Sequence, residues 1–213
     1  ADFGRQLPVD HALIHGNIEK LNHILARSHE AGKPLYYWHR ECIIPEGLEH
    51  RMPGLFDENG AVDFFGSTFE RLIEYKLNRF FENCPETDGI VLTLTEADHG
   101  VIHPADPERY PPVEVVRRFI RLFHDFLLQR DKTFILRSFG SIAEDYETIL
   151  EAAALESAKT PFEVETKVTP YDFVPFLEEN PFLRKVGACS LGVEVDTLGE
   201  FLGTGYLPAF NYD

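Results

Sequence analysis

The chain has 213 residues, 44% of them hydrophobic, which is enough to bury a sizeable core in a single domain over 1–213. Its formal charge of −16, with no Lys/Arg run, argues against nucleic acid or an anionic membrane as a partner. No stretch approaches the roughly 18 consecutive apolar residues of a spanning helix, so no membrane insertion is expected. Ala1-Asp-Phe-Gly-Arg5 lacks a signal-peptide layout, so the chain as given reads as soluble, with no compartment indicated.

In chain order, 10–31 carries Leu13, Ile14, Ile18, Leu21, Ile24 and Leu25 at helical spacing, with Gly32 where a helix would stop. Leu35–His39 reads as a strand, and Pro45–Gly66 as a loop rich in turn residues. A capping box, Ser67 with Glu70, opens a helix to Phe81. Strand 89–96 follows, then a loop through Pro104, Pro107, Pro111 and Pro112. Val113–Gln129 is amphipathic and helical, and Thr133–Arg137 is the next strand. A second capping box, Ser141 with Glu144, opens a helix to Ser157. Strand 162–168, a helical turn over Val174–Glu179, strand 187–196 and the stretch 203–208 complete the pass.

Alternation of this kind, with near-continuous apolar strands, predicts a parallel sheet covered by helices. Five or six strands are too few for a closed eight-stranded barrel. Two architectures fit: an open doubly wound sheet, or a (β/α) barrel without its first one or two β/α units in this chain. No Gly-x-Gly-x-x-Gly or P-loop follows a strand, so the nucleotide-binding version lacks its signature. Cys42, Cys84 and Cys189 are odd in number and widely spaced, which suits buried thiols better than a disulfide framework.

Glu96, Asp172 and Glu200 each stand where an apolar or β-branched run gives way to a loop. Carboxylates at several strand ends suit acid–base hydrolysis at the catalytic face of a parallel barrel, and glycoside cleavage in particular. Glu96 shares its short loop with Asp98 and His99. Lys167 lies inside a strand, where burial without an anionic partner is costly. Arg137 ends its strand, and its planar fork suits a carboxylate. For both, a salt bridge within the site competes with contact to an anionic substrate. Trp38, His39, Arg40 and Glu41 end the first strand, where the indole can stack on a sugar and the charged groups reach its hydroxyls; core packing of Trp38 fits equally well. His99, His103, Asp98 and Asp106 match no compact metal motif, so no metal and no cofactor are expected. Ser138 is not in a Gly-x-Ser-x-Gly elbow, which argues against serine hydrolase chemistry.

Four segments resemble, in order, the catalytic barrel of the α-glucuronidases of glycoside hydrolase family 67. They are Gly89-Ile-Val-Leu-Thr-Leu-Thr-Glu96, Phe134-Ile-Leu-Arg-Ser-Phe139, Lys167-Val-Thr-Pro-Tyr-Asp-Phe173 and Val193-Glu-Val-Asp-Thr-Leu-Gly-Glu-Phe-Leu-Gly203. The resemblance is distant and covers about 85–210. It implies a TIM-barrel-type glycoside hydrolase domain acting on polysaccharide-derived oligosaccharides by an inverting mechanism. Glu96 would be the acid, the pair Asp172 and Glu200 the base, and Lys167 and Arg137 would lie around a uronic acid. Glu194 also matches, within its strand. Thr169 replaces the family's Gly, and Ala97-Asp98-His99 departs from its acid loop, so another uronic acid or a neutral glycan also fits.

Two other readings compete. A metal-dependent barrel hydrolase would use Glu96, His99 and Asp172. A non-catalytic carbohydrate-binding barrel protein would bind sugar without turnover. A homo-oligomer is compatible with each of the three.

Overall fold

The computed structural model describes residues 11–44, 47–95, 97, 100–169 and 180–195, with backbone alone for 11–14. Helix α1 spans His11–Glu30. Strand β1, Tyr36–Arg40, is followed by a short helix α2, Leu48–Arg51, and a 3-10 turn, Pro53–Leu55. Helix α3 is Ser67–Asn83, β2 Gly89–Thr93, α4 Pro112–Leu128 and β3 Thr133–Arg137. Helix α5 is Ala143–Ser157, β4 Glu163–Lys167 and β5 Ser190–Glu194.

The five strands form one sheet in the order β1-β2-β3-β4-β5, and every pair is parallel. Among the described residues the order never reverses, whereas a doubly wound sheet needs a reversal at its switch point. Parallel β-α-β crossovers share one hand, so a sheet laid down in chain order sends each connecting helix to the same side. The contacts agree: α4 lies on β3 and against both α3 and α5.

Residues paired across parallel strands face the same way, and the core follows that alternation. Ile90 and Leu92 of β2, Phe134 and Leu136 of β3 and Val164 of β4 are buried. They meet Phe119, Ile120, Phe123 and Leu127 of α4 in one continuous core. Tyr37 and His39 of β1 point to this side too: Tyr37 lies 4.6 Å from Phe80 and His39 stacks 5.8 Å from Phe123. The strands are therefore not apolar throughout, as the pattern suggested. The helix side is the more apolar, though it holds His39 and Thr166; β4 reads Glu163-Val-Glu-Thr-Lys167 and carries its charges on the other face.

Both expected capping boxes give way to other contacts. Gly66 caps α3 without a side chain, and the Glu70 carboxylate pairs with Arg118 at 2.5 Å across the helix layer. At α5 the backbone N–H groups of Ser141 and Ile142 donate to Asp145 Oδ2 at 2.7 and 3.2 Å. The acidic partner is thus one residue later than Glu144. The region read as a loop over 45–66 holds α2 and the 3-10 turn, because Leu48, Met52 and Leu55 are apolar and bury. Cys42, Cys84 and Cys189 are buried free thiols, and burial pushes Cys84 and Cys189 above the ordinary thiol pKa. The expected turn at Val174–Glu179 and the stretch 203–208 lie outside the described residues.

Gly89 starts β2 opposite Thr133. A Cβ there would stand 2.1 Å from the Thr133 carbonyl oxygen, which is backbone and cannot swing away. Gly89→Ala is therefore expected to cost roughly 2–3 kcal/mol, read as a lower midpoint in urea unfolding with little change in slope.

Candidate functional site

The face of the sheet turned away from the helices is charged, and the register explains its order. Arg40, Thr93, Arg137 and Glu165 form one row across β1 to β4, with Gly192 next on β5. Two residues further along, Lys167 stands beside Glu194. Glu163 occupies the row before, beside Ile135 and Ser190. All these strands run the same way, so Arg40, Arg137, Lys167 and Glu194 sit at or next to their carboxyl ends.

Arg137 binds Glu194 with both arms of its fork: Nε donates to Oε2 at 2.7 Å and a terminal nitrogen to Oε1 at 2.9 Å. Such a two-point pair fixes the orientation of both groups. Because β3 and β5 are not neighbours, the pair arches over β4 and over Glu165. Burial first, and the Glu194 carboxylate second, push Glu165 above the ordinary carboxylate pKa, against the pull of Arg137.

Aromatic rings complete this face. Trp38 is 49% exposed, with the Arg40 and Arg137 guanidinium carbons 5.1 and 5.7 Å from its ring centroid. Phe139 lies 4.9 Å from the Arg137 guanidinium and 4.6 Å from the Lys167 ammonium, where cation–π attraction helps offset the burial of the cations. Lys167 is only 3% exposed. An accessible indole flanked by guanidinium groups can stack on a sugar ring while offering donors to its oxygens.

Of the residues singled out from sequence, Trp38, Arg40, Arg137 and Lys167 therefore share one face. His39 does not. It belongs to the helix side, where its Nε2 lies 2.8 Å from Glu41 Oε2. The reason is the pleat: His39 is one residue from Arg40 and must point the opposite way. Glu96, His99, Asp172 and Glu200 lie outside the described residues, as does Asp98. His103 is 2.6 Å from Asp145 Oδ1 at the start of α5, and Ser138 Oγ is buried 2.6 Å from Thr166 Oγ1. Among the described residues no group of three His, Cys, Asp or Glu side chains is placed to hold a metal.

Sequence reasoning passed over Phe139, Glu163 and Glu165. The signal was present: period-2 alternation through 135, 137 and 139, and through 163, 165 and 167, puts each set on one face. Glu41, named from the sequence with the charged residues that end the first strand, is 1% exposed at the carboxyl end of β1. Lys76 Nζ donates to both Glu41 oxygens at 2.7 Å. These bonds from His39 and Lys76 outweigh the large opposing effect of burial and hold its carboxyl below the usual range. A search against protein-family models, curated proteins and solved structures found no match to this chain.

Glu41→Gln keeps the shape and removes the charge that Lys76 and His39 address, so it should cost roughly 1.5–3 kcal/mol near neutral pH. Glu41's folded pKa lies below the ordinary 4.5, so its contribution is complete above that value and is lost as pH falls through the folded one. Unfolding titrations of both proteins should show the gap closing only on the acid side of pH 4.5.

Proposed function

We propose that this chain is part of a (β/α) barrel glycoside hydrolase acting on polysaccharide-derived oligosaccharides, with a uronic acid as the preferred released sugar and the remaining oligosaccharide as leaving group. The observation that carries the reading is the gathering of Trp38, Arg40, Arg137, Lys167, Glu165 and Glu194 on one face of a parallel sheet laid down in chain order. A barrel presents its chemistry at the carboxyl ends of its strands, facing away from the helical layer. The chain reaches Glu96, Asp172 and Glu200 shortly after leaving β2, β4 and β5.

In this mechanism Glu96 protonates the glycosidic oxygen, while Asp172 and Glu200 position and deprotonate water on the opposite face of the sugar. Trp38 supplies a stacking surface. Arg40 and Lys167 offer positive charge to a sugar carboxylate, and Arg137 does so as half of its pair with Glu194. The described cations and carboxylates on this face are balanced, so the uronic acid preference is the finer part of the proposal and acid–base hydrolysis the coarser.

The test is product release from a glycan panel led by glucuronic-acid-substituted xylooligosaccharides, comparing wild type with Glu96→Gln. Free uronic acid from wild type, reduced about 10²–10⁴-fold in the variant, is expected of a lost general acid. Release of a neutral sugar would keep the mechanism and discard the uronic acid. Equal release by both proteins would remove Glu96 from the mechanism, and saturable sugar binding without product would mark a carbohydrate-binding protein instead.

A further inference from the structure

We propose that Glu165 is a positioning residue of this site: it shares one proton with Glu194, and the shared proton lets Glu194 keep both oxygens on Arg137 and so hold that guanidinium beside Trp38. The role in substrate positioning rests on the glycoside hydrolase reading above; the proton-sharing pair itself does not.

The geometry begins with Arg137 reaching across β4 to Glu194. Glu165 lies in the row beneath that bridge, beside Arg137 on one strand and Gly192 on the other. Gly192, its register partner on β5, leaves Glu163 room: a Cβ there would fall 2.7 Å from Glu163 Oε1, and would meet Glu165 Cγ only at an ordinary contact distance of 3.6 Å. Two carboxylates beneath one guanidinium cannot both ionise cheaply in a half-buried setting, and sharing a proton removes the repulsion. Among the described residues, the charged groups turned to this face are Arg40 from β1, Arg137 from β3, Glu163 and Lys167 from β4, and Glu194 from β5. Burial first, then the Glu194 carboxylate, raise Glu165 above the ordinary carboxylate range, against the pull of Arg137.

A separate observation marks the face as a place for a ligand. Thr93 Oγ1 faces the same side, in the row between Arg40 and Arg137, fully buried and without a hydrogen-bond partner. Beside it Trp38 stays half exposed. An oxygen-rich ligand such as a sugar has an open indole to cover there.

Trp38 is the one tryptophan of the chain, so its emission reports on this cluster directly. Fluorescence would be followed from acid to mildly alkaline pH for wild type, Glu165→Gln, Glu163→Gln and Glu194→Gln. The expected result is a wild-type step with its midpoint above the ordinary 4.5 of a glutamate. That step should persist in Glu163→Gln and vanish in Glu165→Gln, whose amide is neutral at every pH. In Glu194→Gln the midpoint should fall by about one pH unit or more, as Arg137 turns to Glu165. This second variant decides the matter if Glu165→Gln does not fold. A step unchanged in Glu165→Gln or in Glu194→Gln, or no wild-type step above 4.5, overturns the proposal. If the enzyme reading also holds, Glu165→Gln should retain activity and extend it to higher pH, while Glu165→Ala loses it. A protein that releases no product yet shows the Glu165-dependent step retires the hydrolase reading and keeps the proton-sharing pair.

Discussion

Parallel pairing of five strands in chain order is the constraint on which the rest of this molecule depends. Each strand starts at one edge of the sheet and ends at the other, so the chain must travel back along the full sheet before every new strand. Helices α3, α4 and α5 make that return journey, and one crossover hand keeps them on one side. That single decision splits every strand in two. Residues such as Ile90, Phe134 and Val164 turn toward the helices and become core, and their immediate neighbours turn away from it.

What the second face holds is decided by electrostatics. Charges there cannot be left alone, since a half-buried ion without a partner costs several kcal/mol. Arg137 is answered by Glu194 across the width of β4, and its guanidinium and the Lys167 ammonium flank the ring of Phe139. These groups are fixed in position by one another. The helix side uses the same device: Glu41 sits at the end of β1 with Lys76 and His39 aimed at it.

The fold was largely legible in the sequence because helical and strand periodicities differ and because the helix-facing stripe is strongly apolar. Two helix starts and two strands show where legibility ends. Both helix starts with a Ser-x-x-Glu pattern were capped otherwise, since Glu70 found Arg118 and Asp145 was better placed than Glu144. Two strands, β4 and β5, alternate in a way that a reading of apolar runs passed over. Of the residues named as a site, Arg137, Lys167, Trp38 and Arg40 fall on one face of the sheet, and His39 falls on the other. One residue of offset in a pleated strand reverses the direction of a side chain, and adjacency in the sequence conceals that.

The sequence by itself determined an α/β chain, the approximate span of its strands and helices, and a set of charged and aromatic residues near strand ends. It could do so because periodicity, turn residues and charge are local properties. Only the tertiary structure decided the strand order, the pairing of Arg137 with Glu194 and the place of Glu165 beneath that bridge. Those depend on which strands lie side by side and in what register, and contacts between residues 57 apart leave no local trace.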